Sequence, residues 1–411
     1  LKKITAINFN EMNYLSNRIN NLSESETLAM TQKSRELKEQ GFDVINLSIG
    51  EPDFNTPEFI KTAAKEAIDK NFTHYPPVPG YPELRQAICN KLKRDNNLDY
   101  TPDQIVVSTG AKHSIANVML ALVNPGDEVL VPAPYWVSYK EIVKLADGKA
   151  VYIPSSIETN FKVSPQQIED AITDKTKVFI FSSPCNPTGT VYTKDELRAF
   201  AEVFARHKNI FVISDEIYEY INFLGKHESI AQFESMKDNV IVINGVSKGY
   251  AMTGWRIGYI AAPKPIAKAC NKLQGQVTSG ACSIAQKASF AAIDMDPKLT
   301  PEFKVMLDAF HERRDLLLGL LKDVPGVITN KPDGAFYVFM DVKYYFGKKD
   351  GETVINGSED LSMYLLNKAY VAMVPGTAFG DPDCLRFSYA TSKDVITEAV
   401  KRLKEALSNL K

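Results

Sequence analysis

The sequence predicts an α/β fold in which a largely parallel sheet lies between two layers of helices, with a second and smaller lobe attached. Three observations carry that expectation. Between residues 105 and 261, short β-rich runs alternate with longer helical patterns, the rhythm of strands joined through crossover helices. Polar residues come directly after the runs in this region, and ligands of such sheets gather at the carboxyl ends of the strands. Beyond it the pattern changes to a long helix, a β-rich piece and a final amphipathic helix. A chain of 411 residues, 44% hydrophobic and 24% charged, can bury core for two such lobes.

Taken in chain order, residues 11–40 are polar and helix-prone, and Gly41 is a stop before a short apolar strand at 44–49. The strands of the sheet are expected at 105–107, 128–131, 178–181, 211–213, 240–243 and 257–261. A helix over 301–322 comes next, then a hairpin-like piece at 335–342 and a last helix over 392–410. We divide the chain into an N-terminal arm with part of the small domain (1–52), a large domain (53–301) and the rest of the small domain (302–411). No internal repeat or low-complexity linker interrupts it.

Composition excludes several classes. The formal net charge of -2 gives no bulk attraction to nucleic acid or to an anionic membrane. No apolar run approaches the roughly 20 residues that span a bilayer, and residues 1–10 lack the apolar core of a secretory signal. A cytoplasmic location is expected. Cys89, Cys185, Cys270, Cys282 and Cys384 are odd in number, scattered and without a CxxC pair, which speaks against a disulfide framework or a structural zinc site. No metal is expected.

Six stretches carry residues suited to chemistry. Ser108-Thr109-Gly110-Ala111-Lys112-His113 takes a strand into an apolar helix, and glycine at such a turn lets backbone amides face an anion. Trp136, one of two tryptophans, comes after the next strand and offers a flat apolar face. Prolines and glycine force an irregular turn at Ser183-Pro184-Cys185-Asn186-Pro187-Thr188-Gly189, which can free the Asn186 amide for a ligand. Asp215 and Glu216 end an apolar strand; on residue type alone they could hold a divalent metal or act as acid and base. Lys248 and Arg256 stand eight residues apart in Lys248-Gly249-Tyr250-Ala251-Met252-Thr253-Gly254-Trp255-Arg256. A flanked lysine loses its proton readily and attacks an aldehyde, while arginine stays charged and forks around phosphate. Arg386, in Leu385-Arg386-Phe387-Ser388-Tyr389, has the geometry to read a carboxylate bidentately.

These stretches, in this order from about residue 44 to the last helix, resemble the class I pyridoxal-phosphate-dependent aminotransferases. The likeness is greatest to the bacterial-type (subgroup Ib) aspartate aminotransferases, whose lysine region reads Ala-Met-Thr-Gly-Trp-Arg. The resemblance implies the type I fold of pyridoxal-phosphate enzymes and gives each residue a role. Lys248 forms the Schiff base and moves the proton, Arg256 holds the phosphate with the amides of Ala111 and Lys112, and Trp136 stacks on the pyridine ring. Asp215 keeps the pyridine nitrogen protonated, supported by Tyr139, and Tyr218 bonds the phenolic oxygen. Asn186 meets that oxygen and the substrate carboxylate, which Arg386 and the backbone of Gly50 also hold. Glu216 is left a structural role. Tyr75 reaches the phosphate of the neighbouring subunit, so that a homodimer shares its sites. Two departures stand out: Gly245 replaces a phosphate-binding serine, for which Ser247 is the substitute, and Cys185 replaces asparagine, which suggests sensitivity to oxidation.

An acidic substrate needs a second cation, since burying its side-chain carboxylate without a partner is costly. The region 269–287, where another subgroup supplies an arginine from the partner, contains none. In the resembling subgroup a lysine in the phosphate turn does this, helped by hydroxyls of the N-terminal segment, which implies Lys112 with Ser25 and Thr27. The expected reaction transfers the amino group of aspartate or glutamate to 2-oxoglutarate or oxaloacetate. Prephenate or aromatic substrates, and a decarboxylase or lyase using the same cofactor, stay open, because fold and cofactor residues do not fix which bond breaks. Gly245-Val246-Ser247-Lys248-Gly249 also fits the G-x-S-x-G elbow of α/β-hydrolases. An elbow serine should open a helix, however, and Gly249 and Gly254 interrupt the stretch after Ser247. A dehydrogenase is excluded, for no G-x-G-x-x-G comes after a first strand. Retention of Lys248, Asp215 and Arg386 together argues against a non-catalytic regulatory relative.

Overall fold

The computed structural model describes residues 15–24 and 26–411. Its strands are β1 (Ile45–Asn46), β2 (Ile105–Ser108), β3 (Glu128–Ala133), β4 (Lys149–Pro154), β5 (Thr176–Ser182), β6 (Phe211–Asp215), β7 (Val240–Gly245) and β8 (Gly258–Ala261), then β9 (Ile328–Thr329), β10 (Tyr337–Asp341), β11 (Lys349–Asp350), β12 (Thr353–Val354), β13 (Val371–Ala372), β14 (Val374–Pro375) and β15 (Cys384–Ser388). Seven of them form one sheet in the order β2-β8-β7-β6-β5-β3-β4. All neighbours are parallel except β8, which runs antiparallel to both β7 and β2.

Both faces of this sheet are buried, which is why its strands read as unbroken apolar runs. Side chains alternate across the pleat. Val107, Phe179, Phe181, Val212 and Val242 enter one core with the helices Pro82–Asn96, Lys194–Arg206 and Ser283–Asp294. Val106, Val178, Ile180, Ile213, Ile241 and Ile243 enter the opposite core with the helices Ala111–Leu122, Ser138–Leu145 and Lys264–Val277. The strand β4 is an addition to the expected set. It is one of the two edge strands, and most of its residues are exposed or half-exposed, although Ala150 to Ile153 are apolar.

The second sheet is antiparallel, in the order β14-β15-β10-β9, and β1 pairs with β13 beside it. Its core takes in the helices Pro301–Leu321, Ser358–Lys368 and Lys393–Leu407. The helix Pro301–Leu321 starts in the large-sheet core with Phe303 and continues in this one from Met306. The hairpin expected at 335–342 is corrected: that segment is the single strand β10, paired with β15 and β9. Its apolar run is a central strand buried on both faces, not two strands about a turn. The long helical stretch expected from 11 to 40 becomes the helices Asn17–Asn20 and Glu26–Glu39, the second followed by Gly41 at φ +93°; residues 11–14 lie outside the described part. None of the described helices is long and apolar enough to cross a membrane.

Candidate active site

The carboxyl ends of β2, β3, β5, β6 and β7 lead into one cavity of about 400 Å³. At one end lies an anion seat. Gly110, at φ +84°, caps the helix Ala111–Leu122, whose first N–H groups have no acceptor within the helix. A Cβ on Gly110 would lie 2.9 Å from Cζ of Arg256, so the guanidinium rests against the start of the helix. Arg256 donates to the carbonyl of Thr253 at 2.9 Å. Lys112 Nζ lies 5.1 Å from the Trp136 ring centre, and burial, then the charge of Arg256, lowers its pKa. Among the described residues neither cation has a carboxylate partner within ion-pair distance. Ser247 lines the same cavity. A side chain at Gly245 would meet the Ile257 carbonyl at 2.7 Å and Gly258 Cα at 2.8 Å, so a serine does not fit this backbone there, and Ser247 is the nearby hydroxyl.

The middle of the cavity presents a buried acid and a flat ring. Asp215 accepts from the Tyr139 hydroxyl at 2.7 Å and from the Ile217 N–H at 3.3 Å. Burial raises its pKa to about 6, against the opposing effect of the Tyr139 bond. Trp136 stands edge-on to Tyr139, with centroids 5.5 Å apart at 89°. Glu216, next in the chain, serves another environment: it accepts from Ser214 at 2.9 Å and Ser229 at 2.6 Å and pairs with His227 at 2.9 Å. Glu216, Glu219 and His227 are close enough to share a cation, but the buried Lys91 ammonium already sits against Glu219. The oxidation sensitivity expected of Cys185 has no support in its surroundings. Its sulfur is buried and burial raises its pKa, away from the reactive thiolate.

The third part surrounds Lys248. Its ammonium donates to the Gly50 carbonyl, and burial followed by the charge of Arg386 lowers its pKa to about 8. Arg386 is buried on β15 and donates to Asn186 Oδ1 at 2.9 Å and to the Ser48 carbonyl at 2.6 Å. Its Nε has no hydrogen-bond partner, so part of its donor fork is left for a ligand. Tyr218, whose pKa is raised by burial and by Tyr337, shares a 2.8 Å hydrogen bond with the Tyr337 hydroxyl.

The cavity therefore brings together Gly50, Ala111, Lys112, Trp136, Asn186, Asp215, Tyr218, Ser247, Lys248, Arg256, Arg386 and Thr27. Ser25 lies outside the described residues. Tyr75 is not part of this cavity; it is 95% exposed on the surface. Tyr337 also lines the cavity and is absent from the expected set, because an aromatic in an apolar strand carries no signal distinguishing it from core. The hydrolase reading fails on geometry. Ser247 is followed by turns and a short 3-10 helix, and His311, the histidine available to it, is half-exposed, pairs with Asp315 at 3.7 Å and stacks on Phe223.

An anion seat, a flat face, a buried acid, a lysine of lowered pKa and a carboxylate-reading arginine in one cavity suit a phosphorylated aromatic aldehyde and an amino acid. The family model for class I and II aminotransferases matches residues 43–403, and the chain belongs to this family. It is 49% identical to the bifunctional aspartate aminotransferase and glutamate/aspartate-prephenate aminotransferase of Petunia hybrida, over 97% of this chain and 83% of that one. It is 45% identical to the aspartate aminotransferase of Bacillus subtilis, over 95% and 98% of the two chains. Among solved structures, the aspartate aminotransferase of Rhizobium meliloti superimposes with a TM-score of 0.93 at 39% identity, covering 97% of this chain and all of that one. The Thermus thermophilus aspartate aminotransferase with maleate gives 0.90 at 38% identity, over 96% and 100%.

Proposed function

We propose that the chain is a pyridoxal-phosphate-dependent aminotransferase that moves the amino group of L-aspartate or L-glutamate to 2-oxoglutarate or oxaloacetate in a ping-pong cycle. The observation that carries the proposal is that Lys248, Asp215 and Arg386 line one cavity with two cations, Arg256 and Lys112, that have no carboxylate partners among the described residues. These residues fit the cofactor: the helix start at Ala111 with Arg256 and Ser247 suits its phosphate, Trp136 its ring face, and Asp215 its ring nitrogen. Bound there, pyridoxal phosphate would supply an aldehyde to capture the amino group and a ring to accept the electron pair left when the α-proton departs.

The chain's own groups do the rest. Arg386 takes the α-carboxylate on its remaining N–H donors, with Asn186 fixing the guanidinium from the side. Lys248 Nζ, of lowered pKa, is present as free amine at neutral pH often enough to accept a proton from the substrate α-carbon and return it two atoms away, across the nitrogen. Asp215, desolvated and oriented by Tyr139, keeps a negative charge where a ring N–H⁺ needs one. Tyr218 donates its hydroxyl proton to the ring oxygen. Lys112, with Thr27 beside it in the cavity, receives the distal carboxylate. In this reading the chain divides near residue 301 into a large and a small domain, with the N-terminal arm joining the small one. Two chains pair so that the exposed Tyr75 of each reaches the other's phosphate.

The deciding experiment combines borohydride reduction and peptide mapping with the half-reaction. An adduct on Lys248, loss of the visible band with aspartate and its return with 2-oxoglutarate are expected; absence of the adduct overturns the proposal. Lys112→Ala is expected to reduce kcat/KM for aspartate by on the order of 10- to 100-fold, and an unchanged value would reassign the distal carboxylate. Prephenate is a second acceptor to assay, favoured by the paired activities named for the Petunia hybrida relative.

A further inference from the structure

Tyr337 stands at the junction of three parts of the cavity. It is buried on β10, in register with Ser388 of β15. Its hydroxyl and that of Tyr218 are 2.8 Å apart, and the Arg386 guanidinium carbon lies 4.5 Å from its ring centre. Gly50 has no side chain where the Tyr337 hydroxyl sits, and a Cβ there would collide with it. Among the described residues, Tyr218 is the one hydrogen-bond partner of that hydroxyl.

A hydroxyl has one proton to donate and two lone pairs to accept with. In the function proposed above, on which this inference rests, the Tyr218 proton is committed to the cofactor's ring oxygen. The bond between the two tyrosines then has only one direction open, Tyr337 donating and Tyr218 accepting. A donor placed behind Tyr218 polarises its O–H and strengthens the bond it makes in front. We propose that Tyr337 is a positioning residue: its hydroxyl donates to Tyr218 and thereby points the Tyr218 proton at the cofactor oxygen. The Arg386 guanidinium lies against the same Tyr337 ring, so the group that reads the substrate carboxylate and the group that controls charge on the cofactor oxygen meet on one side chain.

The test uses holoenzyme with Tyr337→Phe, Tyr218→Phe and both substitutions, since phenylalanine keeps the ring and removes only the oxygen. The readout is the pH midpoint of the visible absorbance change, with kcat and KM for aspartate measured alongside. Donation to the ring oxygen stabilises its negative charge and weakens its hold on the proton it shares with the Lys248-linked nitrogen, so loss of Tyr337's hydroxyl raises the midpoint. The expected rise corresponds to a proton affinity roughly two- to tenfold higher, with kcat lowered and KM changed less than twofold. In the Tyr218→Phe background, Tyr337→Phe adds nothing. An equal shift in both backgrounds, or no shift in the single variant, overturns the inference; near-UV circular dichroism verifies that the fold is intact. If wild-type protein shows no visible band and no Lys248 adduct, the proposed function fails instead, so the two failures are told apart.

Discussion

Lys248 should be the most aldehyde-reactive lysine of the cofactor-free protein near neutral pH, and the size of the effect can be worked from its surroundings. Its pKa is lowered from 10.5 to about 8 by desolvation and by the charge of Arg386. At pH 7 about one molecule in ten then has the neutral amine, against about one in three thousand for an ordinary lysine, an advantage of roughly 300-fold. Competitive reductive methylation with limiting formaldehyde, followed by peptide mapping across pH 6–11, measures this directly. The labelling of Lys248 should rise with a midpoint near 8, well below the 10.5 of an ordinary lysine. Replacing Arg386 by leucine removes the second cause but not the first, so the midpoint should move upward without reaching 10.5. A wild-type midpoint indistinguishable from that of an ordinary lysine would refute the reasoning, because neither desolvation nor Arg386 would then act on the amine.

Three other outcomes are expected. Arg386→Lys keeps the charge but loses the fork, and kcat/KM for every amino acid substrate should fall by about 10- to 100-fold; a change confined to one substrate in steady-state assays would mean that Arg386 reads a side chain instead. Gly110→Ala strains a backbone at φ +84° and drives a methyl into Arg256, so the affinity for pyridoxal phosphate in equilibrium dialysis should drop by at least about tenfold, and an unchanged affinity would remove Arg256 from the phosphate seat. The buried pair of His227 and Glu216 predicts the pH profile of thermal stability. Burial pulls the His227 pKa down, but Glu216 outweighs it and the net shift is upward from 6.5, so this contribution is complete below pH 6.5 and is lost as pH rises through the folded-state value. Burial raises Glu216, but His227 outweighs it and the net shift is downward from 4.5, so its contribution is present above pH 4.5 and is lost as pH falls. Melting temperature should therefore have a plateau between those limits, and His227→Gln should abolish the alkaline fall; a fall of the same size in the variant would assign it elsewhere.

Much of the large sheet is legible in the sequence, because strands buried on both faces are apolar throughout and end abruptly in polar turns. The same logic passes over β4, an edge strand with its side chains half in water, and misreads β10, whose partner β15 lies more than forty residues downstream. Local pattern has no information about pairing over such distances. The site is legible to the extent that the sheet is. Gly110, Trp136, Asn186, Asp215 and Lys248 each come after or at the end of a strand that finishes at the same edge, so their convergence is implied once the strands are placed.

What the chain determines by itself is the chemical inventory at the ends of the parallel strands, spaced as a βαβ rhythm requires: an amide-rich turn, an indole, a free side-chain amide, a pair of acids and a lysine, with two arginines outside that rhythm. Which of them face one another is decided only when the sheet closes. Asp215 and Glu216 are adjacent carboxylates of the same type, yet one meets Tyr139 in the cavity and the other meets His227, because successive side chains leave a strand on opposite sides. Likewise Tyr337 looks like a core residue of β10, and becomes part of the site only because the second sheet packs it against Tyr218 and Gly50.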